Sequence, residues 1–369
     1  MNEINEDIKS DGKTRVCNDV LWALPRWFGI ESSIAEYAKT HNRRRFMRSI
    51  STAIVIIICL TVISGCTNNL NSNGNSRGSR MNFSNLLKSM GKSSIRIEYD
   101  KEFDSETPVG ASKIGGKPDL PPDFEWFYFQ GESYEGVSEN RPLSFLAQIN
   151  CEEANKYDKD SMLPSKGMLY FFYELVTMTW GFDPKDKGSA RVYYYPGDTS
   201  ELNRINFPTN LLDEYKVPEM PISFSSINEL PAFEEFIEWH EGFEYSQWDD
   251  YDRAKITMGF KSEFDTEEEE EEGINKLLGY ADIVQNGMLL QCELTTSGFN
   301  TGSPDGYDSV SEQQKEDSKK WQLLLQLDSI QTEKYEMLWG DVGRIYFYIN
   351  TDALKVLNFE SCWLILQCG

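Results

Sequence analysis

Histidine is almost missing from this chain of 369 residues, which contains only His41 and His240. A metal site built from several histidines is therefore excluded, and a Ser-His-Asp hydrolase would have to use His240 in the globular part. This residue lies in an acidic stretch of helical composition, residues 238–241, where a structural role is favoured over a catalytic one. We predict no catalytic residues, no metal and no cofactor, and the sequence favours a non-enzymatic protein.

Cysteine is also scarce, with seven residues and no CxxC pair. Four of them lie in the globular part, too few for a disulfide framework: Cys151, Cys292, Cys362 and Cys368. The last two flank a single apolar strand, whose extended backbone holds their side chains too far apart to join. The redox state of these thiols stays open at this stage.

Positive charge is in short supply, because 36 Lys and Arg stand against 60 Asp and Glu, a net charge of −24. The imbalance is uneven: residues 1–80 have 11 basic and 7 acidic side chains, so residues 81–369 carry a net charge of −28. Such a domain repels nucleic-acid phosphates and anionic membranes but steers a basic partner toward itself. Solubility alone is the simpler explanation. We predict that the protein binds no nucleic acid.

Long apolar runs are absent except at residues 50–63, about 14 residues, short of the roughly 20 that a membrane-spanning helix needs. Four arginines precede this run within residues 43–48, Ser64-Gly65-Cys66 ends it, and residues 67–84 are rich in Asn, Ser and Gly. The pattern resembles a bacterial lipoprotein signal over residues 47–66, in which Cys66 receives the lipid. It implies a lipid anchor on the cell membrane with the domain outside the cytoplasm. A single-pass signal anchor and a buried core helix are the alternatives.

Residues 1–46 do not fit a signal, because signal peptides normally begin a chain, and Met47 would be a natural start. Residues 19–37 resemble the opening helices of a GNAT-type acetyltransferase. The resemblance ends before any acetyl-CoA-binding segment, so it implies no acetyltransferase activity. We interpret this segment as a fused fragment or a misplaced start, and the choice between Met1 and Met47 stays open.

The globular part contains an internal repeat. Residues 113–119 match residues 276–282, and two further pairs of blocks follow in the same order: 145–150 with 323–328, and 167–173 with 343–349. Three collinear matches indicate two related halves, at about residues 95–200 and 255–368.

The repeated blocks have the composition of strands. Residues 169–173 and 345–349 are aromatic and β-branched runs that follow a glycine, as expected for strands buried on both faces. Helical patterns are fewer, at residues 81–90, 229–240 and 311–322. We therefore predict a mainly β (α+β) fold of two duplicated halves with few peripheral helices. The glutamate run 267–272 should be a solvated loop between the halves.

The same blocks resemble the YwqG-like family of bacterial domains. The motifs that carry the resemblance are residues 115–121, 142–150, 167–173, 180–182, Gln291 and 339–343. The match covers about residues 85–368 and implies a β-rich, roll-like fold with two similar halves. The family's function is not established, and its members occur among proteins of bacterial conflict systems.

Three polar residues of the blocks are candidate ligand contacts. Gln148 and Gln326 interrupt apolar strands at equivalent positions, and an unpaired buried amide costs roughly 1–3 kcal/mol. They could face each other across a pseudo-two-fold axis or line a shared cleft, or each could cap irregular backbone. Lys113 beside Gly115-Gly116 could form an anion-binding loop or flank a tight turn.

Two tryptophan motifs are further candidates. Trp180 precedes Gly-Phe-Asp, and Trp339 precedes Gly340-Asp341, so each could place an aromatic wall and a carboxylate at a cleft. Each could equally be a turn held by a buried tryptophan, which we favour.

Two main functional hypotheses follow, beside a third, a purely structural role in the cell envelope. The first is an acidic, membrane-tethered, non-enzymatic module that binds a protein or peptide, a basic partner being one option and an immunity-like role one form of it. The second is a small-molecule or enzymatic site in the cleft between the halves, using Gln148, Gln326 and nearby carboxylates.

Overall fold

The computed structural model describes residues 83–102, 106–134, 136–240, 242–260 and 274–369. The predicted signal with Cys66, the GNAT-like fragment and the glutamate run 267–272 lie outside these ranges. None of the helices within them has the length and apolarity needed to cross a bilayer.

Strands dominate the described residues. They are β1 (Lys92–Tyr99), β2 (Lys113–Ile114), β3 (Asp119–Leu120), β4 (Tyr128–Glu132), β5 (Ser138–Pro142), β6 (Ser144–Asn150), β7 (Met168–Tyr173), β8 (Ala190–Tyr195), β9 (Asn203–Arg204), β10 (Met220–Glu229), β11 (Asn275–Leu278), β12 (Trp321–Asp328), β13 (Ile330–Gln331), β14 (Glu336–Met337), β15 (Arg344–Asn350) and β16 (Trp363–Gln367). The helices are α1 (Phe83–Leu87), α2 (Cys151–Ala154), α3 (Phe233–Trp239), α4 (Trp248–Thr257), α5 (Leu289–Thr296), α6 (Glu312–Ser318) and α7 (Thr351–Lys355).

Ten of the strands form one antiparallel sheet, in the order β16-β15-β12-β11-β1-β10-β2-β6-β7-β8. The sheet curves until it nearly closes on itself. The six remaining strands pair as small two-stranded ribbons. The predicted mainly β fold with few helices is confirmed.

The order of the sheet shows the duplication directly. Strands β11, β12, β15 and β16 repeat the arrangement of β2, β6, β7 and β8 on the other side of the central pair β1–β10. Even the irregularities match: the register shifts between Phe145 and Ala147 in β6, and between Leu323 and Leu325 in β12. The two predicted halves are therefore structurally equivalent.

The first strand of each half pairs with a strand of the other half at the centre of the sheet. Strand β1 opens the first half but pairs with β11 of the second. Its counterpart across the sheet is β10, so the second half begins at Met220 and not at about residue 255 as predicted, and β10 pairs with β2 of the first half. They also pair with each other, from Lys92 opposite Glu229 to Tyr99 opposite Ile222. Each half therefore completes the sheet of the other.

A single core fills the inside of the curved sheet and takes side chains from both halves. At its centre the equivalent residues Phe171 and Phe347 are in contact, with ring centroids 5.2 Å apart and ring planes at 74°. Separate clusters cover the outer faces, one around Phe172 in the first half and one around Tyr348 in the second. Because successive side chains of a strand point to opposite faces, β7 and β15 each contribute residues both to the inner core and to an outer cluster.

Two predicted helices have different limits in the structure. The helix predicted at 229–240 begins only after Ala232, because Glu229 still pairs with β1 and Pro231 separates the strand from the helix. The helix predicted at 311–322 is α6, capped at its N-terminus by Ser311. It ends before Trp321, where β12 begins.

The contact between Phe171 and Phe347 predicts the energetics of the shared core. We expect Phe171→Ala and Phe347→Ala each to lower the free energy of unfolding by about 3–5 kcal/mol. The double variant should lose less than the sum by about 0.5–3 kcal/mol, because the two rings contact each other. Urea unfolding of the full chain measures all three values.

A matched pair serves as the control. Phe233 lies in a separate cluster around α1, α3 and α4, so Phe171→Ala and Phe233→Ala should be additive within about 0.5 kcal/mol. Additivity of the Phe171 and Phe347 substitutions would contradict a core shared by the two halves.

Candidate functional site

Gln148 lies in a buried polar network of the first half. Its amide Nε2 donates to Asp119 Oδ2 at 2.8 Å and to the carbonyl of Ala111 at 2.7 Å, and its Oε1 accepts from the Asp119 backbone N–H at 2.8 Å. Arg204 Nε donates to Asp119 Oδ1 at 2.9 Å. Burial alone would raise the pKa of Asp119, but the hydrogen bonds from Arg204 and Gln148 hold it below its ordinary value.

Lys113 belongs to the same region and is fully buried. Its ammonium donates to Glu219 Oε2 at 2.7 Å and to the carbonyl of Lys117 at 2.7 Å. Burial lowers its pKa, although the hydrogen bond with Glu219 opposes this shift. The neighbouring Gly115 and Gly116 both have positive φ angles, of 61° and 69°, and form a tight turn. The cation is therefore occupied by groups of the protein itself.

Gln326 occupies the corresponding network in the second half. Its Nε2 donates to Asp282 Oδ2 at 2.9 Å and to the carbonyl of Ile274 at 2.8 Å, and its Oε1 accepts from the Asp282 N–H at 2.9 Å. Lys276 lies between two carboxylates, at 2.6 Å from Asp282 and 2.9 Å from Glu229. Burial would raise the pKa of Asp282, but the charge of Lys276 holds it below its ordinary value.

The two networks are copies of one another. In each half the lysine stands directly opposite the glutamine in the sheet, Lys113 with Gln148 and Lys276 with Gln326. A tyrosine hydroxyl, of Tyr170 in one half and of Tyr346 in the other, donates to the backbone carbonyl of the network's aspartate. The glutamines thus lie in separate networks, each holding a loop to its own strand.

The tryptophan motifs have different surroundings. Trp180 is 36% exposed, and its carbonyl accepts from the Leu366 N–H at 3.1 Å, so this segment covers the outer edge of β16. Trp339 is 1% exposed and lies near Tyr173, with centroids 6.2 Å apart. Asp341 is half-buried. Trp180 is therefore a partly exposed residue at the edge of the sheet, whereas Trp339 belongs to the core.

His240 and the cysteines have structural surroundings. The imidazole packs against Phe236 with centroids 4.6 Å apart, and burial lowers its pKa. All four cysteines of the described residues are free thiols, and burial raises the pKa of Cys151 to about 12. No group of three or more His, Cys, Asp or Glu side chains within the described ranges is arranged to hold a metal ion.

A cleft of about 420 Å³ lies at the seam where the two ends of the sheet approach each other, and sequence reasoning did not find the residues that line it. The first half contributes residues 186–191, which include Asp186 and Arg191. The second half contributes Asn350, Glu360 and Trp363, among others. Neither glutamine lines this cleft. All of its residues lie outside the matching blocks, so the repeat gave no signal for it.

The polar groups that line the cleft differ in their hydrogen-bond and ion-pair partners. Asp186 Oδ2 accepts from the Gly181 N–H at 2.9 Å, and burial raises its pKa to about 6. Arg191 is half-buried and forms no ion pair or hydrogen bond through its side chain with any described residue. Trp321, which forms part of the wall, donates its indole N–H to Glu293 at 2.9 Å.

A buried acidic cluster around α3 was also missed. Burial raises the pKa of Glu235 to about 7 and that of Glu238 to about 8. One carboxylate oxygen of Glu235 and the indole N–H of Trp239 are buried without a hydrogen-bond partner among the described residues. The ammonium of Lys92 lies 4.9 Å from the Trp239 ring centroid and 4.2 Å from that of Tyr280.

The network around Gln326 predicts a large loss of stability when its lysine, Lys276, is removed. Lys276→Met should lower the free energy of unfolding by about 3–5 kcal/mol, because Glu229 and Asp282 lose their buried counter-charge. The loss should be smaller near pH 4.5, where the stranded carboxylates can take up protons. Urea unfolding at the two pH values measures both effects.

Lys355→Met is the matched control. This lysine is 70% exposed, and among the described residues its ion pair is with Asp352 on the same helix, so its removal should change stability by less than about 0.5 kcal/mol. Equal small effects of the two substitutions would show that the buried network does not support the fold.

Comparison with known protein families gives one match. The model of a family described as a domain of unknown function, DUF1963, matches residues 112–368. No curated protein matches the chain.

Proposed function

The chain belongs to the DUF1963 family of domains of unknown function, and from this premise we propose that it is an acidic, non-enzymatic binding module for a protein or peptide partner. A basic partner fits it best. We further propose that it is a YwqG-like domain, and that an immunity-like role, in which the partner is a basic toxin, is one form of this function.

The observation that carries the proposal is the balance of charge. Residues 81–369 hold 28 more acidic than basic side chains. Buried cations such as Lys113 and Lys276 are held by the domain's own carboxylates. Exposed carboxylates such as Asp123 and Glu125 face the solvent. The outward field is therefore negative and would accelerate the approach of a basic surface.

The lysines in helix α6 and just after it are paired with carboxylates of the same segment. Lys315, Lys319 and Lys320 each contact a carboxylate three residues earlier, at 2.8, 2.6 and 2.7 Å. Such pairs are partly neutralised locally and offer little to an anionic partner. The unpaired surface charge that remains is mostly that of carboxylates.

A salt-dependence experiment tests the electrostatic part. The full chain, immobilised, is incubated with a lysate of its host at about 0.05 M and about 0.5 M salt, and captured proteins are purified and re-bound singly. We expect a basic partner whose Kd rises at least about tenfold at the higher salt, because exposed charges are then screened. Partners held equally well at both concentrations would argue against steering by the acidic surface.

We also propose that the domain is tethered to the outer face of the cell membrane through lipid on Cys66. The support is the basic, apolar and small-residue pattern that ends at this cysteine. Radiolabelled lipid should enter the wild-type chain and be absent from Cys66→Ala. Cys59→Ala, a change inside the apolar run, is the control and should keep the label. Equal labelling of wild type and Cys66→Ala would contradict the lipid anchor.

A further inference from the structure

The cleft at the seam is lined by charged side chains of both signs. Asp186 and Glu360 carry negative charge, and Lys187 and Arg191 carry positive charge. The cleft is thus balanced in charge within a strongly acidic domain. Arg191 also differs from the buried basic residues described above, because no described side chain neutralises it. A guanidinium with unused donors, half-buried in a cleft, is suited to a carboxylate.

The walls of the cleft between these charges are largely apolar. They include Ala190 and the two tryptophans Trp321 and Trp363. A volume of about 420 Å³ lies in the lower part of the range of small-molecule sites, roughly 300–1,000 Å³. The cleft therefore combines an apolar middle with charges of both signs.

The edges of the sheet argue against a peptide strand as the occupant. The Leu366 N–H is already bonded to the carbonyl of Trp180 at 3.1 Å. A Cβ atom at Gly181 would lie 1.9 Å from the Leu364 carbonyl oxygen, so the segment 180–181 runs directly against β16. An added strand could not pair with this edge without displacing that segment.

We propose that the seam cleft binds a small apolar zwitterion, an amino acid or dipeptide with both termini free. Its carboxylate contacts Arg191, its ammonium lies toward Asp186 and Glu360, and its apolar side chains contact the tryptophan walls. The site takes groups from both halves, so it exists only in the closed sheet. This inference is independent of the acidic-surface proposal, because it concerns a different face and a different class of ligand.

Titration calorimetry with the full chain tests the proposal. The probes are leucine, leucyl-leucine, the N-acetylated dipeptide and the dipeptide amide. We expect leucine or leucyl-leucine to bind, and each blocked derivative to bind at least about tenfold more weakly, because each lacks one charged hydrogen-bonding group. The ratio of leucine to leucyl-leucine affinity distinguishes the two sizes of ligand.

Variants locate the binding to this cleft. Arg191→Gln should weaken the binding of the free dipeptide at least about tenfold, whereas Arg253→Gln should not change it. Arg253 is 66% exposed on α4, and its ion pair within the described part of the chain is with Asp250. Circular dichroism and the unfolding midpoint report whether each variant is folded.

A second substitution keeps the test decisive if Arg191→Gln does not fold. Glu360 is exposed, so Glu360→Gln should fold normally and weaken binding of the free dipeptide, but not of its N-acetylated form. The proposal is overturned if no probe binds at millimolar concentration. It is equally overturned if the blocked and free dipeptides bind alike, or if the substitutions in the cleft have no effect.

Discussion

The pairing of β1 with β10 is the interaction on which the rest of this structure depends. These strands are separated by more than a hundred residues of sequence, yet they form the centre of the sheet along eight paired positions, from Lys92 with Glu229 to Tyr99 with Ile222. Each also supplies the partner that the other half's next strand requires. Without this exchange both halves would expose an unpaired edge, and the inner core around Phe171 and Phe347 would be open to water.

The duplicated polar networks show how the halves keep one geometry with different residues. The tight turn after β2 has Gly115 at a φ of 61°, and the equivalent position in the second half is Leu278, the last residue of β11, at a φ of 60°. A side chain other than glycine in this region costs about 1 kcal/mol. A Cβ atom at Gly115 would lie 2.1 Å from the Pro218 carbonyl oxygen, so only the second half has space for one. The hydrogen bonds from Gln148 and Gln326 hold both loops in the same shape despite this difference.

Part of this structure could be predicted from the sequence, because some strands are indicated by the composition of their own residues. Strands β7 and β15 are continuous runs of large apolar residues, so their composition and their repetition indicated both their type and their equivalence. Strands β1 and β10 mix Ser, Arg and Glu with apolar residues, and their identity depends on a pairing across the whole domain. Gln148 and Gln326 were recognised as unusual, but their partners, the backbone carbonyls of Ala111 and Ile274, could be found only in the fold. A cleft between the halves was one of the hypotheses, but its lining residues could not be predicted, because they come together only where the two ends of the sheet meet.

The exchange of the first strands also affects how the protein is made. A chain that leaves the ribosome presents β1 long before β10 and β11, so β1 lacks its first partner until about residue 229 and its second until about residue 278 has been synthesised. Native pairings between segments so distant in sequence give a high contact order, which slows folding. The nascent first half therefore spends most of its synthesis with unpaired edges exposed, the condition in which holding chaperones protect a chain from aggregation.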